Sequence, residues 1–127
     1  MKNKIRKFSP KEREFIDALA GIPGCYALYS CGVCAYVGQA VCLKKRILNH
    51  LRKRMDFDEI GVFDLSSKMI GMDHLEFRSL LNFEEMRLIE KLDPLENLKR
   101  PKFTWDLFVT MPLKVQRLLL ESLPSLS

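Results

Sequence analysis

The chain has 127 residues, of which 47% are hydrophobic and 29% charged, with six Gly and six Pro. That is one compact domain with short appendages, and it excludes a disordered tail, a collagen or a low-complexity polymer. The net charge of +5 is unevenly placed: residues 1–54 hold twelve Lys/Arg against three Asp/Glu (+9), and residues 55–127 hold nine against thirteen (−4). A basic half points to an anionic polymer as partner, with an ordinary solvated surface as the plain alternative.

In chain order, Ser9-Pro10 with Glu12 three residues after the serine predicts a helix start, because the acid is placed to reach back to the cap. The helix is expected to run to about Ala20 with Phe15, Ile16 and Leu19 as its apolar stripe, and Ile22-Pro23-Gly24 ends it. Residues 18–43 carry no charge, a length that on paper spans a bilayer. Gly21, Pro23, Gly24, Gly32 and Gly38 punctuate it, so it reads as two short buried strands, 25–30 and 33–37, around a Cys31-Gly32 turn. Cys25, Cys31, Cys34 and Cys42 cluster here, but Cys31-x-x-Cys34 has no second close pair. They read as small apolar residues of a hairpin rather than a zinc site. Charges throughout Lys2 to Asp17 fit no secretory signal, so reduced thiols and a cytoplasmic protein are expected.

Gly38 closes the hairpin, and Ala40 to about Met55 is a strong helix. Leu43, Ile47 and Leu51 form its buried edge, with Arg46, His50 and Arg54 beside them and Lys44, Lys45, Arg52 and Lys53 elsewhere around it. The acidic stretch 56–73 predicts a loop with a short helix. Alternation of Leu75, Phe77 and Ser79 with Glu76, Arg78 and Leu80 predicts a third strand over 74–80. Asn82 then caps a helix from Phe83 to about Leu92, stopped by Pro94. Phe103 to Leu123 is amphipathic, one or two helices divided at Pro112. The sum is an α+β fold: a small three-stranded, mainly antiparallel sheet flanked by helices.

Three features fit this scaffold imperfectly. Glu85 shares a helical face with Leu88, Ile89 and Leu92, where a buried carboxylate is costly without a partner. As Asn82-x-x-Glu85 it equally resembles a capping box. Arg46 and His50 lie four apart at the border of an apolar stripe, which suits either a site or a solvated basic helix. Tyr26 and Tyr36 sit on facing strands, where tyrosine is usually packing.

Taken together, Gly24-Cys25-Tyr26, Tyr36-Val37-Gly38-Gln39, Arg46-x-x-x-His50, Glu85-x-x-Leu88-Ile89 and Pro94-x-x-Asn97 resemble the GIY-YIG nuclease family. The spacings are alike: ten residues between the tyrosines, ten more to Arg46, four to His50, and twelve from Glu85 to Asn97. Cys25 departs from the usual Ile or Val, and Val37 is a conservative change. The resemblance covers about 24–98 and implies a catalytic domain over 21–98, with a basic helical extension at 1–20 and a helical extension at 99–127 packed on the same domain.

It further implies a metal-dependent endonuclease that hydrolyses phosphodiester bonds, with one Mg²⁺ or Mn²⁺ held by Glu85. Tyr26 is then the general base, Arg46 the phosphate clamp, His50 the group that orients or relays for Tyr26, and Tyr36 a hydrogen-bond partner of water or phosphate. Asn97 would donate to the scissile backbone or pin its loop against the Glu85 helix. Lys44, Lys45, Arg52, Lys53 and Arg54, with an arm of Lys2, Lys4, Arg6 and Lys7, are expected to contact the phosphates of DNA, or failing that RNA. A non-catalytic nucleic-acid-binding module on the same fold is the alternative. The oligomeric state is left open, a homodimer included.

Overall fold

The computed structural model describes residues 5–54, 56–97, 100 and 102–122. Lys2 and Lys4 of the expected basic arm lie outside the described residues, as do Met55 and Leu123. Four strands, β1 (Arg6–Phe8), β2 (Gly24–Ser30), β3 (Val33–Ala40) and β4 (Glu59–Asp64), form one antiparallel sheet in the order β1-β4-β2-β3. The helices are α1 (Arg13–Asp17), α2 (Leu43–Lys53), α3 (His74–Leu92), α4 (Trp105–Val109) and α5 (Leu113–Ser122), with a 3₁₀ turn at Ser66–Met69. No helix among the described residues is long and apolar enough to cross a membrane.

The β2–β3 hairpin turns at Cys31 and Gly32, both with positive φ (51° and 81°). That is the backbone of a two-residue hairpin turn whose twist matches the strands it joins. The register then sets Tyr26 opposite Gly38 and Leu28 opposite Tyr36. Strand periodicity sorts β2 onto two faces. Cys25, Ala27 and Tyr29 join Val37 in a core completed by Leu81 and Ile89 of α3, Phe108 of α4 and Val115 of α5. Tyr26 and Leu28 join a second core with Ile16 of α1 and Leu43 and Ile47 of α2. Leu28, Leu43 and Ile47 are completely buried, each stabilising the fold by about 1.5–3 kcal/mol relative to exposure.

Both outer edges of the sheet are guarded. Beyond β3, the loop after α3 runs alongside: Leu95 N donates to Cys34 O (3.2 Å) and Glu96 N to Ala35 O (2.8 Å). At the other side β1 is three residues long, with Arg6 and Lys7 exposed.

The sequence expectation is corrected in three places. Residues 74–80 are not a strand but the first two turns of α3, because Asp73 and Glu76 make a reciprocal capping box that starts the helix nine residues before the expected start. The third strand is instead β4, in the segment expected to be loop, where Ile60 and Val62 face one core and pair with Leu28 and Tyr26 while Phe63 packs against the other. The N-terminal extension is only partly helical. β1 adds a fourth strand, and α1 is five residues long, preceded by a turn in which Glu12 accepts from Ser9 N (2.9 Å). Pro112 does separate two helices, α4 and α5.

Candidate active site

The Tyr26 ring on β2 lies flat over β3, and glycine at position 38 makes that geometry available. A methyl group built on Gly38 would meet the phenol, its Cζ at 2.6 Å. From α2, His50 comes to the same phenol, with Nε2 2.8 Å from Tyr26 Oη. Tyr36 on β3 completes a triangle of rings: its centroid is 6.2 Å from Tyr26 and 5.4 Å from His50, and Tyr26 and His50 are 5.4 Å apart. The i, i+4 spacing on α2 puts Arg46 one turn before His50, with its guanidinium exposed.

Electrostatics link these groups. Burial pushes the Tyr26 phenol well above its ordinary value, and Tyr36 and Glu85 add to that, while Arg46 pulls it down. Arg46 and Glu85 therefore both bear on the same hydroxyl. A Tyr26 activated by a lowered pKa is not what the fold provides, since burial outweighs the cation. His50 is held below its usual value, first by burial and then by Arg54, Arg46 and Lys53. It is a neutral imidazole near neutral pH.

Glu85 reaches the site from the opposite face of the sheet. It lies in the middle of α3, so the capping-box reading of Asn82-x-x-Glu85 is removed; Asn82 caps nothing. The Gln39 side chain on β3 bridges the two, its Nε2 donating to Asn82 Oδ1 (2.7 Å) and Glu85 Oε1 (3.1 Å). The other end of that amide, Oε1, is buried with no hydrogen-bond partner. Among the described residues no cation pairs with Glu85, whereas its neighbour Glu84 is 3% exposed and sits between Lys68 (3.5 Å) and Arg87 (3.3 Å). Adjacent glutamates thus have different fates: one neutralised in the core, one half-buried and left with a single amide donor. Gln39 escaped the sequence reading. The signal was present, since strand parity places it one residue beyond Gly38 on the α3 face.

Asn97 pins its loop, but not where expected. Its Oδ1 accepts from Val37 N and its Nδ2 donates to Val37 O, both at 2.9 Å. The loop is thus held to β3, not to α3, and the second N–H of the amide is not used by these two bonds. The basic set also divides. Arg54 is clamped by Glu96 and Asp56, Glu96 doing most to raise its pKa, and is thereby drawn away from phosphate contact. Lys44 reaches Asp17 at 3.3 Å. Lys45, Arg46, Arg52 and Lys53 pair with no carboxylate among the described residues. The four cysteines are free thiols. Among the described residues no three His, Cys, Asp or Glu side chains are grouped to hold a metal.

No protein-family model and no curated protein sequence matches the chain. Solved structures do. The GIY-YIG N-terminal endonuclease domain of UvrC from Thermotoga maritima, bound to its catalytic divalent cation magnesium, superposes with a TM-score of 0.52 at 24% identity, over 72% of this chain and 100% of that one. A tyrosine-to-phenylalanine mutant of the same domain gives 0.51 at 24% identity, and an asparagine-to-alanine mutant 0.52 at 23%, with the same coverage; both hold the divalent cation. The chain has the GIY-YIG fold: α+β, an antiparallel sheet flanked by helices.

Proposed function

We propose that this protein is a metal-dependent endonuclease that hydrolyses phosphodiester bonds in DNA, with residues 21–98 as its catalytic unit, residues 99–127 packed against it, and the cytoplasm as its setting. What supports this reading is the Tyr26–His50 hydrogen bond with exposed Arg46 one helical turn away, and Glu85, which has no counter-cation among the described residues, held by Gln39, the neighbour of the Gly38 that faces the Tyr26 phenol. The neighbouring structures lend support, being endonuclease domains that bind a catalytic divalent cation.

The residues fit a hydrated divalent ion. Glu85 offers one hard oxygen donor set, and the buried acceptor Gln39 Oε1 beside it has no donor among the described residues, which suits an ion that keeps most of its waters. Glu85 would hold the ion, oriented by Gln39; Mg²⁺ or Mn²⁺ there supplies Lewis acidity to the phosphate. Arg46 pairs with a non-bridging phosphate oxygen and opposes the charge that grows on it. Tyr26 is protonated at neutral pH, so it acts as a relay: its hydroxyl hands a proton to His50 Nε2 while accepting one from the attacking water. Tyr36, partly exposed beside it, orients that water or the phosphate. Lys45, Arg52 and Lys53 hold the strand by its phosphates.

Incubation of the purified chain with plasmid and single-stranded DNA tests the reading. Nicking with Mg²⁺ or Mn²⁺ that stops in EDTA is the expected result, together with binding that weakens steeply between low and physiological salt. Tight binding with no cleavage in any divalent metal would replace it with the non-catalytic module.

The rate should also respond to acid. The groups facing His50 are Tyr26 from β2, Tyr36 from β3 and, on its own helix and just beyond, Arg46, Lys53 and Arg54. A depressed imidazole pKa keeps His50 an acceptor down to and below about pH 6.5. Cleavage is therefore expected to hold to that pH and fall beneath it as the ring takes a proton. Stability moves the same way, since the unfolded chain binds that proton first. A pH–rate profile of wild type against His50→Gln reads this out, and an acid limb left unchanged by the substitution would refute the relay.

A further inference from the structure

Glu85 has a second neighbourhood that the cleavage chemistry does not use. α3 and the α4–α5 corner line a groove of about 570 Å³ that includes Glu85 in its wall. Its walls are apolar, with Met86 of α3 facing Leu107 of α4 and Met111 of the corner. Its polar groups are Arg78, Ser79, Asn82 and Glu85 along α3 and Thr110 at the corner. Neither the fold nor the proposed chemistry requires an open cleft here, and the core beneath it is already closed by buried Phe83, Met86 and Met111.

We propose that this groove receives an unstacked nucleobase of the strand being cut, next to the phosphate at Glu85. The inference rests on the nuclease reading for the position of that phosphate, and on the groove itself for the base. The volume lies in the range of small-ligand pockets, and apolar walls with a few directed polar groups are how such pockets hold flat rings. Asn82 Oδ1 is taken by Gln39, and its NH₂ has no partner among the described residues, so it offers a donor to the ring nitrogens or carbonyls of a base edge. Arg78 is exposed, without an ion pair or hydrogen bond among the described residues, and lines the same groove, placed for the phosphate on the base's far side. Glu85 lines the groove and is hydrogen-bonded by Gln39, the neighbour of the Gly38 that faces the Tyr26 phenol, so a nucleotide seated here has its phosphate next to the cut. A base is free to enter only from a single strand, a flap or a distorted duplex, which makes such DNA the preferred substrate class.

Binding can be read without cleavage. In EDTA, anisotropy of a labelled single-stranded oligonucleotide is compared with the same backbone made abasic. Wild type is expected to bind the base-bearing strand at least about tenfold tighter, base stacking on protein side chains being of that order or larger. Thr110→Trp fills the groove from its outer wall, and Asn82→Ala removes the exposed base-edge donor should the tryptophan disturb packing. Thr110→Trp should bring the preference to within about threefold while leaving abasic binding unchanged. Asn82→Ala should weaken binding to the base-bearing strand by about threefold or more, with abasic binding unchanged. Equal affinity of wild type for the two strands, or full preference in both variants, overturns the proposal. A wild type that prefers bases yet cuts nothing with Mg²⁺ or Mn²⁺ upholds the groove and removes the nuclease reading instead.

Discussion

Glu85→Gln is expected to lower metal-dependent DNA cleavage by at least about 10³-fold and to leave the fold and DNA binding intact. The size follows from the chemistry. A divalent ion contributes several kcal/mol of charge stabilisation to a phosphoryl transition state, and each 1.36 kcal/mol is a factor of ten in rate. Glutamine keeps the shape and still meets the Gln39 amide, but offers a weak, neutral ligand. Stability should barely change, because Glu85 is half-buried and has no ion pair among the described residues, so its charge contributes little to folding. Glu84→Gln is the internal control. That carboxylate is buried between Lys68 and Arg87, so its loss should reduce stability by about 1–3 kcal/mol and spare the rate per folded molecule. Single-turnover cleavage and thermal melts of the two variants separate these outcomes, and cleavage within tenfold of wild type in Glu85→Gln would remove Glu85 from the mechanism.

The second large effect is steric. Gly38→Ala puts a methyl group into the Tyr26 phenol, its Cζ 2.6 Å away, in a part of the sheet where both residues are buried. Overpacking of this kind costs about 1–3 kcal/mol, which in a domain of this size lowers Tm by roughly 5–12 °C. The cause is one ring, so it is testable by coupling. In a Gly38→Ala/Tyr26→Ala double variant the ring is gone, and the two losses should sum to at least about 1 kcal/mol less than their separate values. Strict additivity would show that Gly38 is needed for something other than the phenol.

The hairpin, α2 and the split C-terminal helices were legible because each carries its own punctuation. Cys31-Gly32 accepts positive φ, Leu43, Ile47 and Leu51 keep helical period, and Pro112 breaks a helix. What misled was a short window. Leu75, Phe77 and Ser79 alternate like a strand, yet Asp73 and Glu76 had already committed the backbone to α3 through two reciprocal hydrogen bonds. β4 escaped for the converse reason: its acidic flanks, Asp58, Glu59 and Asp64, hide a buried Ile60-Gly61-Val62 centre that only β2 makes sense of. At the site, the resemblance to the GIY-YIG family implied which side chains belong together, and Tyr26, Tyr36 and His50 do touch. It did not carry what tertiary hydrogen bonds decide. Asn97 binds one backbone unit of β3, Arg54 two carboxylates, and Gln39 stood at the end of the second tyrosine motif with nothing in the sequence to give it a role.

The stitching of Leu95–Asn97 along β3 has a bearing on how the molecule behaves in company. A bare sheet margin invites a second chain to dock its backbone there, the first step toward swapped dimers and fibrils. Here one margin is occupied from within, and the other is too brief and too positively charged to template a neighbour. Among the described residues, contact between copies would fall mainly to side chains, with little open backbone seam for crowding to exploit.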